Sequence, residues 1–530
     1  GKISNYKNQS RNPNYSIYKP TYLPNQGEAP PLILNDSFIL VFSPIYMSFY
    51  SNRGISLNGY PKALKFQAFS GAVADIDGDG LEEAIVSVRK DNNSFLLSVN
   101  INKIDTLFYS NFFGDISIYN KGLIIANFYN DSLPEIALKT YYSDNNHKQR
   151  IIILDPRTKA IINEIKLFKG NVSTNWDISA SDFDNHGLYE IVSLDSIGKL
   201  HILKANGQEI NNFPIDLMPY LPYNNPDAIS YFSSAIYVTY NKVICGVIQN
   251  GQLRIFIINA NNGTIENIIN VNSYVNNNPI EPFSLSLGDI DNDGIAEIVL
   301  VTYHGYYSSK RILVFKLNGS LLSQYIGPDI DWVWYSPASI VDILNDNKMD
   351  LVISLPRRVF ILTYDNGNLN HFIGTPIILA DDTLPEGYPY YSPIFKDINN
   401  DNKNEMFVLQ YSNPLYSFNL ENIGKIEWNG NRANFRNTAE YGKKISNKDE
   451  INLNFVKFNY KKFAIEFNLR NSEFYNLKIY DVSGRLIYEN SGFIKGKGLI
   501  SISDKLNRGI YIIDFKSKNY NFRIKAIKLD

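Results

Sequence analysis

Asp75-Ile-Asp-Gly-Asp-Gly-Leu-Glu-Glu83 and Asp289-Ile-Asp-Asn-Asp-Gly-Ile-Ala-Glu297 are one nine-residue phrase written twice. Each copy sets acids at positions 1, 3, 5 and 9 and a glycine at position 6. Weaker copies begin at Asn127, Asp182, Asp342 and Asp397, and a frame that has lost every acid is kept at Ile236. Successive anchors lie 52, 55, 54, 53, 53 and 55 residues apart. A period near 50 residues marks a repeat architecture, in which each unit buries its apolar face against its neighbours.

Each turn runs into a short apolar stretch, such as Ala84-Ile-Val-Ser-Val88, Ile191-Val-Ser-Leu194, Ile298-Val-Leu-Val301 and Leu351-Val-Ile-Ser-Leu355. Such β-branched runs read as buried strands. Asn-Gly pairs follow at 206, 250, 262, 318 and 366, and they supply the positive φ angles of two-residue hairpins. Strands and hairpins within about 50 residues make one four-stranded propeller blade. The expected fold is all-β: a seven-bladed β-propeller over residues 38–441. Phe38–Leu57 is expected to complete the last blade and close the ring. Phe69, Trp176, Phe283 and Tyr391 each stand six residues before an anchor and read as packing between blades. Trp332, Trp334 and the tyrosines of 303–307 break that phase and read as a surface patch.

Outside the repeats, residues 1–37 are rich in Asn, Tyr, Pro and Ser and read as an extended arm, lying on its own propeller or on a neighbouring subunit. Residues 442–450 are a charged linker. Residues 451–530 carry alternating patterns at 463–467, 477–480, 485–488, 499–502, 511–515 and 522–527, which predict a small β-sandwich. The chain opens at Gly1, as a mature secreted protein would and as a trimmed one would.

The net charge of −2 is spread over both signs, so no basic patch offers nucleic acid a handle. No apolar run reaches the roughly 18 residues of a membrane helix. The single cysteine, Cys245, falls on a predicted strand and reads as a buried apolar residue, not a disulfide partner.

The acidic turns carry the chemistry. Calcium takes about six to eight oxygens from carboxylates, carbonyls and water. Alternate side chains of a tight turn converge on one point, position 7 offers its carbonyl, and the acid at position 9 clamps. An EF-hand is excluded, because position 12 is Val86 or Leu300 and the flanks are strands. The expected ligands are Asp75, Asp77, Asp79, Leu81 and Glu83; Asp289, Asp291, Asp293, Ile295 and Glu297; and Asp397, Asn399, Asp401, Lys403 and Glu405. Asp182, Asp184, His186 and Glu190 form a fourth set, with an imidazole, a poor calcium ligand, at position 5. The turns at Asn127 (with Tyr129, Asp131 and Glu135) and at Asp342 (with Leu344, Asp346 and Asp350) read as metal-free turns held by Asx-type hydrogen bonds. The metal's expected role is structural.

The repeated turn followed by a strand resembles the FG-GAP repeats of integrin-α-type seven-bladed propellers, in which such loops bind structural calcium. Asn58-Gly-Tyr-Pro61 and Trp428 to Tyr441 look like bacterial secreted members. In the tail, Leu477-Lys-Ile-Tyr-Asp-Val-Ser-Gly-Arg-Leu-Ile-Tyr488, Leu506-Asn-Arg-Gly-Ile-Tyr-Ile512 and Phe522-Arg-Ile-Lys-Ala-Ile-Lys528 are similar to the type A C-terminal sorting domain of type IX secretion. That resemblance implies export to the surface or surroundings of a Gram-negative cell, and cleavage of the domain is common in the family.

No catalytic constellation is visible. The histidines at 147, 186, 201, 304 and 371 are scattered, and no zinc-protease, serine-hydrolase or phosphate-loop motif occurs. An enzyme is therefore not expected, a polysaccharide lyase being the best enzymatic case. Two readings remain. One is a self-assembling extracellular subunit of a filament, sheath or surface layer, joined to its own copies through the arm or the tail domain. The other is a monomeric adhesin for an extracellular glycan or protein.

Overall fold

The computed structural model describes residues 31–441 and 455–528, apart from 52–56, 111–121, 143–147, 170–176, 224–228, 303–309, 328–335, 372–376, 379–390, 399–403, 410–414 and some shorter pieces. Most of the expected arm, the linker 442–450, Trp176, Trp332, Trp334, the 303–307 cluster, Asn399, Asp401 and Lys403 lie outside the described residues. Contacts divide the chain into two compact units that part at Lys443/Lys444, the turn Asp75–Glu82 being counted with the smaller one.

Among the described residues, the larger unit holds eight antiparallel sheets in chain order: residues 32–63, 67–110, 123–169, 178–216, 229–270, 283–327, 339–378 and 394–419. We call them the first to the eighth sheet. Seven repeats were counted, and the extra sheet is the first. Its strands Leu32–Leu34, Phe38–Phe42, Tyr46–Ser51 and Lys62–Ala63 pair only with one another. The expectation that 38–57 completes the last blade is thus corrected, and regular structure begins at Leu32, inside the span assigned to the arm. The period could not register this sheet because it has no acidic turn.

In six sheets the anchor residue directly follows the first strand, and position 9 opens the second. In the sixth sheet, for example, Phe283–Gly288 ends before Asp289 and Glu297–Thr302 begins at position 9. The fifth sheet departs from this rule. Its first strand, Ile229–Thr239, runs straight through the expected anchor, pairing Ile236 with Cys245, and turns at residues 240–241 into Lys242–Gln249. With no acids to accommodate, a tight hairpin replaces the nine-residue turn.

Buried apolar clusters join successive sheets. They link the first to the second, the third to the fourth, the fourth to the fifth, the fifth through the sixth to the seventh, and the seventh to the eighth. Another cluster packs Ile33, Ile39, Val41 and Tyr50 of the first sheet with Tyr391, Ile394, Phe407 and Leu409 of the eighth. Phe283 and Tyr391 serve as expected: the Phe283 ring fills the space a Cβ on Gly246 of the fifth sheet would need, at 2.7 Å, and Tyr391 is 8% exposed. Cys245 is fully buried in the same manner, and burial pushes its thiol pKa up.

One segment has no counterpart in the repeats. The described residues between Ile423 and Tyr441 run along the first strands of six sheets. Asp342 and Gly424 bond through the backbone (Asp342 N–H to Lys425 O at 2.9 Å, Gly424 N–H to Asp342 O at 2.7 Å). Trp428 pairs with Ile340. Asn429 exchanges two hydrogen bonds with the backbone of Phe395. Ile125 N–H donates to Arg436 O and Ala180 N–H to Thr438 O, each at 3.0 Å. Glu440 and Tyr441 pair with Val238 and Thr239. Glu427 Oε2 accepts from Asp289 N–H at 2.6 Å and from the Tyr441 hydroxyl at 2.9 Å. These bonds satisfy backbone groups at the free edge of each sheet, which would otherwise stay unpaired.

The smaller unit is one five-stranded sheet over Phe455–Asn459, Ala464–Asp481, Leu486–Ser501, Gly509–Ser517 and Asn521–Lys528. The six strands expected here become five because 463–467 and 477–480 merge into one 18-residue strand, and 485–488 and 499–502 into one of 16. The long strand shifts register between Leu469 and Glu473 and changes partner from Phe455–Asn459 to Gly509–Ser517. Its core includes Phe458, Ile465, Leu477, Ile479, Ile513 and Phe515. The Asp481-Val-Ser-Gly-Arg485 turn is locked by Asp481 Oδ1, which accepts from Ser483 N–H and Arg485 N–H at 3.0 Å each, while Gly484 takes φ +82°.

Candidate metal centres

The acidic turns share one backbone. Position 6 has a positive φ in each described case: Gly80, Gly187, Gly294 and Asn347, at 85°, 87°, 88° and 64°. Position 4 does so too, at Gly78, Asn185, Asn292 and Asn345. Glycine and asparagine are the residues that tolerate this region. The sequence reading explained position 6 and missed position 4, although the restriction to Gly or Asn was there to see.

The position 1 carboxylate holds the turn from inside. Asp75 accepts from Gly78 and Gly80 N–H (2.7 and 3.0 Å), Asp182 from His186 and Gly187 (3.0 and 3.1 Å), and Asp342 from Asp346 and Asn347 (3.0 and 2.9 Å). Asp289 accepts from Gly294 at 2.9 Å. The position 9 acid is buried and reaches back across the turn to the N–H of position 2. This bond recurs at Glu135, Glu190, Glu297, Asp350 and Glu405, between 2.8 and 3.1 Å. One oxygen of position 9 therefore closes the turn and leaves the other to face the acids. The turn at Asp342 takes the same shape with Leu344, 58% exposed, at position 3, so the backbone does not need the third acid.

Three trios bring ligand atoms within 4.8 Å of one another: Asp75, Asp77 and Glu83; Asp182, Asp184 and Glu190; Asp289, Asp291 and Glu297. Position 5 stands outside them. Asp79 Oδ1 accepts from Leu81 N–H at 2.7 Å, Asp293 Oδ1 from Ile295 N–H at 2.9 Å, and His186 Nδ1 lies 2.8 Å from Asp184. Of the seventh repeat, Asp397 follows the strand Ile394–Lys396 and Glu405 is buried, bonded to Ile398 N–H.

Burial dominates the electrostatics of the position 9 acids. Burial, with Asp291 adding to it against the Ile290 hydrogen bond, pushes Glu297 up to about 8. Burial likewise lifts Glu190 to about 7 and Asp350 to about 6. In the Asp289 turn, Asp289 Oδ1 and Asp291 Oδ1 are buried with no hydrogen-bond partner among the described residues. Crowded carboxylate oxygens left without donors suit a hard divalent cation.

Two further groups escaped the sequence reading. Lys139, on the second strand of the third sheet, is 1% exposed and donates to Leu194 O at 2.8 Å; burial lowers its ammonium to about 7. His201 is buried between Glu209 and Asp195, at 2.6 and 3.3 Å. Both sit in strands whose apolar neighbours mask them.

Residues 459–528 match the family described as the secretion system C-terminal sorting domain. This domain marks the chain for export by type IX secretion to the cell surface or the extracellular space. No curated protein sequence matches the chain. Among solved structures it is similar to Saccharomyces cerevisiae Sqt1, at 12% identity over 77% of this chain and 98% of that one, with a TM-score of 0.46. It is also similar to BBS1N in complex with ARL6DN (12% identity, 67% and 93% covered, TM-score 0.37) and to rhamnogalacturonan lyase YesW (11%, 72% and 80%, TM-score 0.35). No helix among the described residues is long and apolar enough to cross a membrane. Removing residues 459–528 is expected to abolish appearance of the chain in the medium or on the cell surface, as followed by immunoblotting of cell fractions.

Proposed function

We propose that the chain is an exported structural or adhesive protein whose larger unit is a propeller of eight blades, stiffened by calcium in its acidic turns. The ring is supported by the cluster between the first and eighth sheets and by the 423–441 segment, which bonds to the first strands of five sheets and to Asp289 just after that of a sixth. Calcium is supported above all by the two partnerless buried oxygens of Asp289 and Asp291 within a trio of acids. Asp397, Asn399, Asp401, Lys403 and Glu405 would form a fourth site. The ion's role is to clip the first strand of a blade to the second, next to the 423–441 segment.

Native mass spectrometry after chelation and calcium addition is expected to show three or four bound ions. The substitutions D77N, D184N and D291N should each remove one. A protein that takes up no calcium under these conditions defeats the reading.

Self-association is favoured by one observation on the tail unit. Phe474 and Phe493, 52% and 75% exposed, stack edge to face across strands at 5.2 Å. Large exposed aromatics of this kind mark contact surfaces. Light scattering is expected to give a mass above 60.5 kDa for the full chain. The mass should fall to the monomer value in an F474S/F493S variant or on removal of residues 1–30, which leaves the strand Leu32–Leu34 in place. A full chain that is already monomeric would leave the monomeric adhesin as the better reading.

A further inference from the structure

The three acid trios look equivalent until the residue after the third strand of each sheet is considered. In the sixth sheet this is Lys316, directly after Lys310–Phe315. Its Nζ lies 2.6 Å from Asp291 Oδ2, 2.7 Å from Asp293 Oδ2 and 3.9 Å from Glu297 Oε1. In the fourth sheet the same place holds Lys204, whose Nζ stands back at 3.5 Å from Asp184 Oδ2. In the second sheet it holds a neutral residue, Asn100, which donates to Glu83 Oε1 at 3.1 Å. The third sheet, where Asn127 and Tyr129 have replaced acids, brings in Arg157 from the same hairpin, 4.0 Å from Glu135 Oε1.

We infer that Lys316 is a tethered counter-cation that competes with the divalent ion at the Asp289 turn, and that the residue following the third strand sets how tightly each turn holds its ion. This rests on the reading of these turns as calcium sites and adds a rank to them. An ammonium offers three donors and one charge. It neutralises part of the trio, yet Asp289 Oδ1 and Asp291 Oδ1 stay without partners beside it. A divalent ion gathers more oxygens and carries twice the charge, but to take both oxygens of Asp291, or to sit beside it without like-charge repulsion, it must displace the ammonium. The work of breaking those ion pairs comes out of the ion's affinity. The order of affinity is therefore the Asn100 sheet first, the Lys204 sheet next and the Lys316 sheet last. Repeats one and five carry the same four acids, so the turns alone would place them level.

The test uses the full chain with the other sites disabled (D77N/D184N/D397N), so that only the Asp289 turn reports. Calcium is titrated into this protein and into the same protein carrying K316M or K316R, with ion occupancy read by native mass spectrometry and the thermal midpoint followed in parallel. The expected result is a half-saturating calcium concentration about tenfold lower for K316M and little changed for K316R. In chelator, K316M should melt below its parent, because the acids lose a tethered cation. Equal or weaker calcium binding by K316M, with calcium still bound by the parent, overturns the competition alone. Calcium uptake by neither protein overturns the inference together with the metal reading.

Discussion

With divalent ions chelated, the protein is expected to lose stability as the pH rises from 4.5 to about 7. The window follows from Glu190 and Glu297, whose folded-state values are about 7 and about 8 against an ordinary 4.5. Both are raised, so between 4.5 and those values the folded chain binds a proton that the unfolded chain has released. Stability is complete below 4.5 and falls as the pH rises, by up to about 1.4 kcal/mol per pH unit for each carboxylate. Asp105, drawn down to about 2 by Lys159 and Lys103, titrates below this window, and Lys139, lowered by burial to about 7, opposes the trend above it, because its folded form sheds its proton before the unfolded one. On the proposed reading calcium is expected to reverse the sign, because it would bind the deprotonated trio and only in the folded chain. At a hundred times its dissociation constant each ion adds about 2.7 kcal/mol. Thermal melts at pH 5, 6.5 and 8, with and without calcium, should therefore diverge most at pH 8. E297Q crosses the two curves: no worse than wild type in chelator at pH 8, and clearly worse in calcium. A wild-type midpoint that climbs between pH 5 and 6.5 in chelator would contradict the burial of these acids.

Replacing Trp428 with alanine is expected to be the most damaging single change in the 423–441 segment. The indole is fully buried, 5.1 Å from the Tyr237 ring, in the cluster shared by the fifth, sixth and seventh sheets. Truncating a buried Trp costs about 3–5 kcal/mol, a large share of a domain's net stability. The indole Nε1 has no hydrogen-bond partner among the described residues, so its polar atom contributes little. W428F should accordingly recover most of the loss, and denaturant melts of the two variants measure the difference. Comparable destabilisation by W428F and W428A would mean that the indole shape, and not its apolar bulk, holds the segment in place.

Much of this was legible beforehand, and the boundary between what was and was not has a physical cause. Asp75 to Glu83 could be read as a turn with converging acids because its determinants are local: positive-φ positions, short acceptors and a following apolar strand. Phe283 and Tyr391 could be read as packing residues because they keep phase with the turns. The strand Leu32–Leu34 could not be read, since three apolar residues after a proline-rich stretch signal nothing alone and find their register only against Phe38–Phe42. Ile236 was misplaced because its anchor rested on the similarity of its flanks alone, and a strand that needs no metal simply continues. Lys316 lies 19 residues beyond the last ligand of its turn, Glu297, and reaches it only because the sheet folds the third strand back alongside the second.

The amino-acid sequence by itself therefore determined the all-β repeat, the positions of the acidic turns and the sorting character of residues 459–528, because each depends on side chains within a few residues of one another. Tertiary structure decided that eight sheets form where seven motifs are written, that 423–441 stitches six of them together, and which amine approaches which carboxylates. Those outcomes depend on distant strands competing for the same edges and the same buried space. That competition is settled by packing over the whole unit and leaves no periodic trace along the chain.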